Sequence, residues 1–154
     1  MAEPSATTTD GASDRTELIP RADQPLPTGA DKTASVQALF DTIAPRYDLV
    51  NRIMTFRMDV GWRRRALDML GLAAGARVLD LASGTGDLAA EMTARGLVPV
   101  GADLSFGMLA AAPNPFPRVQ ADGVALPFPN GALDGATCGF ALRNFTDLDA
   151  TIAE

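Results

Sequence analysis

The residues with the clearest chemical potential are a glycine-rich run bordered by two carboxylates. Asp80 precedes Ser83-Gly-Thr-Gly86, and Asp87 follows it directly. Glycines let the backbone turn sharply and approach a bound molecule closely. The spacing from Gly84 to Ala89 also matches the G-x-G-x-x-A form of a dinucleotide fingerprint. A carboxylate at Asp87 would repel a pyrophosphate at the start of the same helix, so the pair of acids favours a ligand with ammonium and sulfonium charges. A tight turn without a ligand is the alternative.

Three further polar sites follow predicted strands. Asp103 lies 19 residues after Gly84, where an acid accepts hydrogen bonds from a ribose diol, so an adenosine ligand is expected. Capping of the next helix is the alternative for Asp103. Asp122-Gly123 offers an acceptor to an adenine amino group, or forms only a turn. Arg143-Asn144 follows an apolar run and reaches the same edge, or belongs to a solvated loop.

Strands alternate with helices over most of the chain. Helical spacing is seen from Ser35, a candidate N-cap, to Pro45, and an apolar side of Trp62, Ala66, Met69 and Leu70 marks a second helix from about residue 59 to 70. Strands are predicted at 77–82, 97–103, 118–121 and 132–142, and helices at 87–95, at 106–112 and in the last residues. This alternation predicts an α/β fold with a doubly wound, mostly parallel sheet, which binds ligands beyond the carboxyl ends of its strands.

Composition excludes several classes of function. The 154 residues include no histidine, so imidazole-dependent triads and metal sites are impossible, and no metal is expected. A lone Cys138 cannot form an internal disulfide, which favours a reducing compartment. A net charge of −6 argues against nucleic acid as a partner. Residues 1–34 lack an apolar pattern and are interpreted as a disordered leader, with 35–154 as the folded domain.

Taken together, these motifs resemble the class I S-adenosylmethionine-dependent methyltransferases, and more narrowly the ubiquinone/menaquinone biosynthesis C-methyltransferases, over about residues 36–154. The resemblance rests on Phe40-Asp-Thr-Ile-Ala-Pro-Arg-Tyr-Asp48 with Asn51, Trp62-Arg-Arg64, Val78-Leu-Asp-Leu-Ala-Ser-Gly-Thr-Gly-Asp87, Ala125-Leu-Pro-Phe128 and Phe140-Ala-Leu-Arg-Asn144. It implies a Rossmann-like fold, S-adenosyl-L-methionine as cofactor and C-methylation of a polyprenyl quinol ring, with conversion of demethylmenaquinol to menaquinol as the expected reaction.

The resemblance also assigns roles. The expected cofactor-binding residues, together with those indicated by the strand ends, are Asp80, Gly84, Thr85, Gly86, Asp103, Asp122 and Gly123. Arg143 is expected to stabilise a developing phenolate, with Asn144 and Tyr47 orienting the substrate or a water. Three positions depart from the pattern, since Ala82 and Ser83 stand where glycine is frequent and Gly139 stands where many members have a serine near the cofactor.

Two alternatives and two further expectations remain open. A nicotinamide-dependent oxidoreductase would also use the glycine run. The family pattern continues past a fourth strand, so residues 35–154 are expected to be the N-terminal part of a class I methyltransferase domain whose C-terminal strands are missing. A truncated cofactor-binding domain without activity is therefore the second alternative. Six arginines between residues 46 and 65, set among apolar side chains, indicate peripheral contact with anionic lipid, or else a solvated face over a core stripe. The chain is expected in the cytoplasm, at most peripheral at the inner face of the membrane, and its oligomeric state is open.

Overall fold

The computed structural model describes residues 29–44 and 58–154, and a four-stranded sheet is its central feature. The strands are β1 (Arg77–Leu81), β2 (Val98–Asp103), β3 (Arg118–Gln120) and β4 (Gly135–Cys138). They lie in the order β3-β2-β1-β4, and every neighbouring pair is parallel. The chain thus starts at a central strand and extends the sheet to both sides, which confirms the predicted doubly wound α/β fold.

Helices precede the sheet, fill the connections from β1 to β2 and from β2 to β3, and follow β4, whereas residues 121–134 between β3 and β4 hold no helix. The helices are α1 (Gly29–Ile43), α2 (Met58–Leu70), α3 (Asp87–Ala94), α4 (Phe106–Ala111) and α5 (Leu148–Ala153), with a 3₁₀ turn at Leu142–Asn144. Among these helices, none combines the length and the apolar character needed to cross a bilayer.

The main hydrophobic cluster joins α2, α3, β1 and the residue just before β2. Its buried members are Leu67, Val78, Leu88, Met92 and Leu97. Burying each side chain of this size stabilises the fold by about 1.5–3 kcal/mol. The cluster therefore holds β1 and the start of α3 in fixed relation, and the glycine run connects these two elements.

Pro99 lies within β2 without breaking it. The N–H of Val98 donates toward the β1 side and the N–H of Gly101 toward the β3 side. Because alternate residues of a strand face alternate neighbours, Pro99 faces the β3 side, where pairing begins only at Gly101. The missing N–H of proline therefore costs no hydrogen bond of the sheet.

The predicted start of the first helix is wrong. Ser35 is not its N-cap, because α1 begins at Gly29. Tertiary contacts stabilise this additional turn, since Lys32 Nζ donates to the Phe145 carbonyl at 2.9 Å and the Thr33 hydroxyl lies 2.9 Å from that of Thr146. Residues 29–34 of the expected leader are thus helical, and the remainder of that leader lies outside the described residues.

The predicted fourth strand is too long. It was expected over 132–142, whereas β4 covers only Gly135–Cys138 and Leu142 begins the 3₁₀ turn. β4 pairs with β1 over four residues, and Phe140 then takes a left-handed backbone with φ of 63°. An apolar run alone does not show where the pairing partner ends. The other strands and helices agree with their predicted bounds within one residue.

The predicted apolar side of α2 is wrong for Trp62, Ala66 and Met69, which are exposed, and only Leu70 packs against the core cluster as expected. Trp62 is 51% exposed and Met69 78% exposed, while Leu67 is buried. Leu67 thus turns toward the core cluster, and ion pairs join Arg63 to Asp87, Arg64 to Glu91, and Asp68 to Arg95 in α3 and the turn after it.

Gly86 supplies a first prediction, because a Cβ there would lie 2.3 Å from the Phe116 ring. Gly86→Ala combines this clash with a positive φ of 84° and is expected to lower the free energy of unfolding by about 3 kcal/mol. Gly131 has a similar φ of 72° with no atom within 4 Å of its built Cβ, so Gly131→Ala should cost only about 1 kcal/mol. Urea unfolding of both variants measures the difference. Equal losses in the free energy of unfolding would show that Phe116 is not the reason why position 86 requires glycine.

Candidate functional site

A cavity of about 1120 Å³ opens at the carboxyl edge of the sheet. The loops that follow β1, β2, β3 and β4 form most of its wall, and α1 forms another part. Of the site residues expected from the sequence, it brings together Asp80, Gly84, Thr85, Asp103, Asp122, Gly123, Arg143 and Asn144. Gly86 does not line the cavity, and Tyr47 lies outside the described residues.

The turn after β1 is shaped by left-handed backbone conformations. Gly84 has φ of 55° and Gly86 of 84°, and Ala82 adopts φ of 55° although it is not glycine. The N–H of Gly86 closes the turn on the Ser83 carbonyl at 2.9 Å. Gly86 caps α3 and lies against Phe116, so it helps to fix the shape of the turn.

Asp103 joins this turn to the one after β2. Its Oδ2 accepts the N–H of Gly84 at 2.7 Å, and its Oδ1 accepts the N–H of Ser105 at 2.8 Å. Burial raises the pKa of Asp103 above its usual value, and these amides oppose the shift. Asp103 is not the cap of the next helix, because Ser105 is the N-cap of α4.

Asp80 is buried at the end of β1, with 1% of its surface exposed. Its Oδ2 accepts the N–H of Ala89 in α3 at 3.1 Å. Burial raises the pKa of Asp80 to about 7, the Ala89 amide opposes the shift, and the charge of Asp103 adds to it. Near neutral pH, therefore, the Asp80 carboxyl carries only part of a negative charge, and a bound cation would complete its ionisation.

Arg63 is a site residue that the sequence reasoning missed. Its guanidinium pairs with Asp59 one turn earlier on α2 and with Asp87 at 2.6 Å in the first turn of α3. The spacing of Asp59 and Arg63 was a signal for the first pair, but nothing in the sequence indicated the second. Asp87 is thus not a free charge at the helix start, although the three groups together remain negative by one unit.

The loops after β3 and β4 complete the polar wall. Asp122 forms the expected turn, with its Oδ1 accepting the N–H of Val124 at 3.3 Å. Arg143 and Asn144 lie in the 3₁₀ turn. The carbonyl of Phe145, which follows this turn, accepts a hydrogen bond from the Lys32 ammonium group. Four carboxylates and two guanidinium groups line the cavity, so it favours a ligand with positive charge.

Helix α1 contributes the wall that the sequence did not predict. Asp41 accepts the N–H of Gly107 at 2.8 Å and the hydroxyl of Ser105, and thereby caps the start of α4. Apolar side chains of α1, among them Val36 and Phe40, face the cavity. The partners of Asp41 are more than 60 residues away in the chain, so local patterns gave no signal for this contact.

Comparison with known proteins assigns the family. The model of the ubiE/COQ5 methyltransferase family matches residues 28–154. The chain belongs to this family. Demethylmenaquinone methyltransferase of Thermus thermophilus is 46% identical over 125 residues, covering 75% of this chain and 57% of the relative. The chain spans about half the length of the curated relatives it matches.

Solved methyltransferases share the fold. A chain in the complex between the Haloferax volcanii Trm112 methyltransferase activator and a methyltransferase superposes with a TM-score of 0.61 at 24% identity, covering 73% of this chain and 52% of that one. Haemonchus contortus phosphoethanolamine N-methyltransferase 2, solved with S-adenosylhomocysteine, gives 0.56 at 23% identity, covering 60% of this chain and 24% of that one. Family membership thus decides against the oxidoreductase as the interpretation of the glycine run.

The titration of Asp80 gives a second prediction. The unfolded carboxyl loses its proton near pH 4 and the folded one near pH 7, so stability falls as the pH rises through this window. Asp80→Asn keeps an oxygen for the Ala89 amide and removes the titration. Relative to the unmodified chain, it should gain about 2–3 kcal/mol of stability between pH 5 and pH 8.

Thermal and urea unfolding at both pH values measure this gain. Asp149→Asn, at an exposed carboxylate of α5, is the matched control and should gain nothing. If the stability of Asp80→Asn followed that of the unmodified chain across this pH range, the raised pKa of Asp80 would be contradicted.

Proposed function

We propose that this family member binds S-adenosyl-L-methionine in the cavity and transfers its methyl group to a ring carbon of a polyprenyl quinol, converting demethylmenaquinol to menaquinol. The observation that carries the proposal is the convergence of Asp80, Asp103 and Asp122 from three strand ends beside the glycine turn. The family match and the demethylmenaquinone methyltransferase relative support the choice of acceptor.

The residues around the turn fit this cofactor. An ionised carboxylate has about four acceptor positions, so Asp103 can hold its backbone amides and still accept a ribose hydroxyl. Asp122 lies at the next strand end, where its other oxygen suits an adenine amino group. Asp80 and the negative Asp59-Arg63-Asp87 group suit the positive charges of the methionine part. Gly84, Thr85 and Gly123 would lie along the bound molecule, and Gly86 would act through the shape of the turn.

The reaction depends on positioning more than on proton transfer. The bound cofactor supplies an electrophilic methyl group. The chain has no histidine to serve as a base, and an arginine guanidinium keeps its positive charge in proteins. We therefore assign Arg143 to stabilising the negative charge that develops on the ring hydroxyl, with Asn144 and Tyr47 orienting the substrate. The apolar wall of α1 would exclude water from this step.

Binding and turnover test the proposal and the role of Arg143 together. Calorimetry with S-adenosylhomocysteine and with NAD should show binding of the first only. Arg143→Ala should keep that affinity and lose about 100-fold in turnover on demethylmenaquinol, because one group that stabilises the developing charge is removed. Arg77→Ala, at the opposite edge of the sheet, should keep both values.

The outcomes separate the alternatives. Full turnover by Arg143→Ala would overturn the role assigned to that residue. Binding of S-adenosylhomocysteine without any turnover by the unmodified chain would favour a cofactor-binding domain without activity. Absence of binding would overturn the proposed function itself.

Gly139 allows a sharper test of the cofactor position. It lines the cavity, and a Cβ built there has only the Leu88 side chain nearby, at 3.9 Å. The resemblance to the family places Gly139 where many members have a serine near the cofactor. Gly139→Ser should therefore bind S-adenosylhomocysteine about three- to tenfold more tightly, the effect of one added hydrogen bond. Gly139→Ala is the matched control and should leave the affinity unchanged, while equal affinities for both variants would place the cofactor away from Gly139.

Contact with an anionic membrane is also part of the proposal, because the substrate carries a polyprenyl tail. The arginines between residues 46 and 65 are the sequence feature that supports this contact. Residues 45–57, which hold half of the arginines of the basic segment, lie outside the described residues. Of the described arginines, Arg63 and Arg64 make ion pairs with carboxylates of α2 and α3. Their charges are thus partly neutralised, and the lipid-binding hypothesis rests mainly on residues 46–57.

A further inference from the structure

Two aromatic side chains meet at the rim of the cavity. Trp62 extends from α2 and Phe140 from the loop after β4, and both line the cavity. Their ring centroids are 5.8 Å apart with an angle of 50° between the planes. Each residue stays about half exposed, at 51% for Trp62 and 49% for Phe140. The pair therefore presents an apolar surface where the cavity opens to solvent.

The backbone of Phe140 is strained in the conformation that places its ring at the rim of the cavity. Its φ of 63° lies in the left-handed region, which costs a residue other than glycine about 1–2 kcal/mol. Half of the Phe140 surface remains in water, so burial in the core offsets little of this cost. Strained residues of this kind concentrate where a protein binds a ligand.

The interior and the rim of the cavity differ in chemistry. The carboxylates lie together at the strand ends beside the glycine turn, with Arg143 in the loop after β4, whereas Trp62 and Phe140 offer two large apolar faces where the cavity opens to solvent. A molecule that fits both parts has a polar head inside and an apolar extension that leaves through the rim. An isoprenoid chain meets this requirement because it needs no hydrogen-bond partner along its length.

We infer that Trp62 and Phe140 bind the first isoprenoid units of the acceptor's tail and thereby select prenylated quinols over the bare ring. The inference rests on the proposed function, since it assumes that the quinol ring occupies the interior. Covering the exposed half of each aromatic face would favour the prenylated acceptor in proportion to the apolar area removed from water.

Trp62 provides its own probe, since it is the only tryptophan of the chain. A short-chain prenylated menaquinone and menadione, which has the same ring without the tail, are titrated while Trp62 emission is followed. The prenylated compound should bind at least about tenfold more tightly and quench Trp62 to saturation. Calorimetry with S-adenosylhomocysteine on the same preparations reports the cofactor site separately.

Phe140→Gly removes the ring and suits the left-handed backbone, so it is expected to fold. It should reduce the preference for the prenylated compound by about fivefold or more and leave the affinity for menadione and S-adenosylhomocysteine unchanged. Phe140→Tyr keeps the aromatic face and should keep the preference. Trp62→Ala, followed by calorimetry, should reduce it as Phe140→Gly does, whereas Met69→Ala, at an exposed apolar residue of the same helix, should not.

The outcomes distinguish this inference from the proposed function. Unchanged preference in both Phe140→Gly and Trp62→Ala, with S-adenosylhomocysteine still bound, would overturn the inference and leave the proposed function standing. Equal affinity of the unmodified chain for both quinones would also overturn it. Failure of the unmodified chain to bind S-adenosylhomocysteine would overturn the proposed function, and the inference with it.

Discussion

The carboxylate of Asp103 holds the ligand edge of the sheet together. One oxygen accepts the amide of Gly84 after β1, and the other accepts the amide of Ser105 after β2. A hydrogen bond to a charged group contributes about 1.5–3 kcal/mol, so these two bonds offset much of the penalty for burying the carboxylate. Together with the hydrogen bond from the Ser83 N–H to the Ala102 carbonyl, this connection fixes the two loops relative to each other and so defines the shape of the cavity between them.

A second set of charges fixes the helices around that edge. Asp80 accepts an amide of α3 from below the glycine turn, while Arg63 on α2 pairs with Asp87 in the first turn of α3. Asp41 of α1 accepts the N–H of Gly107 and so holds the start of α4. Each helix that borders the cavity is thus tied to a neighbour through a carboxylate, which places several negative groups around one space. The stability of the scaffold and the electrostatic character of the site have the same origin.

Much of the site could be predicted from the sequence because its signals are local. The turn from Ser83 to Gly86 needs glycine at two alternate positions, 84 and 86, and the acids lie at the ends of strands that a period of two or a short apolar run identifies. The parallel sheet followed from the alternation of elements. The end of β4, by contrast, depends on how far β1 extends beside it, and the rotation of α2 depends on how Leu67 packs against α3 and β1. Neither partner is adjacent in the chain, so neither feature left a local pattern.

By itself, the sequence determined the class of fold, the position of the glycine turn and the acids at the strand ends, because these depend on backbone conformation and on spacing along one element. Only the tertiary structure decided that Phe116 requires glycine at position 86, that α1 closes one side of the cavity, and that Trp62 faces Phe140 instead of the core. These are contacts between segments far apart in the chain. Their formation depends on how whole helices dock on the sheet, which the periodicity of a single segment does not encode.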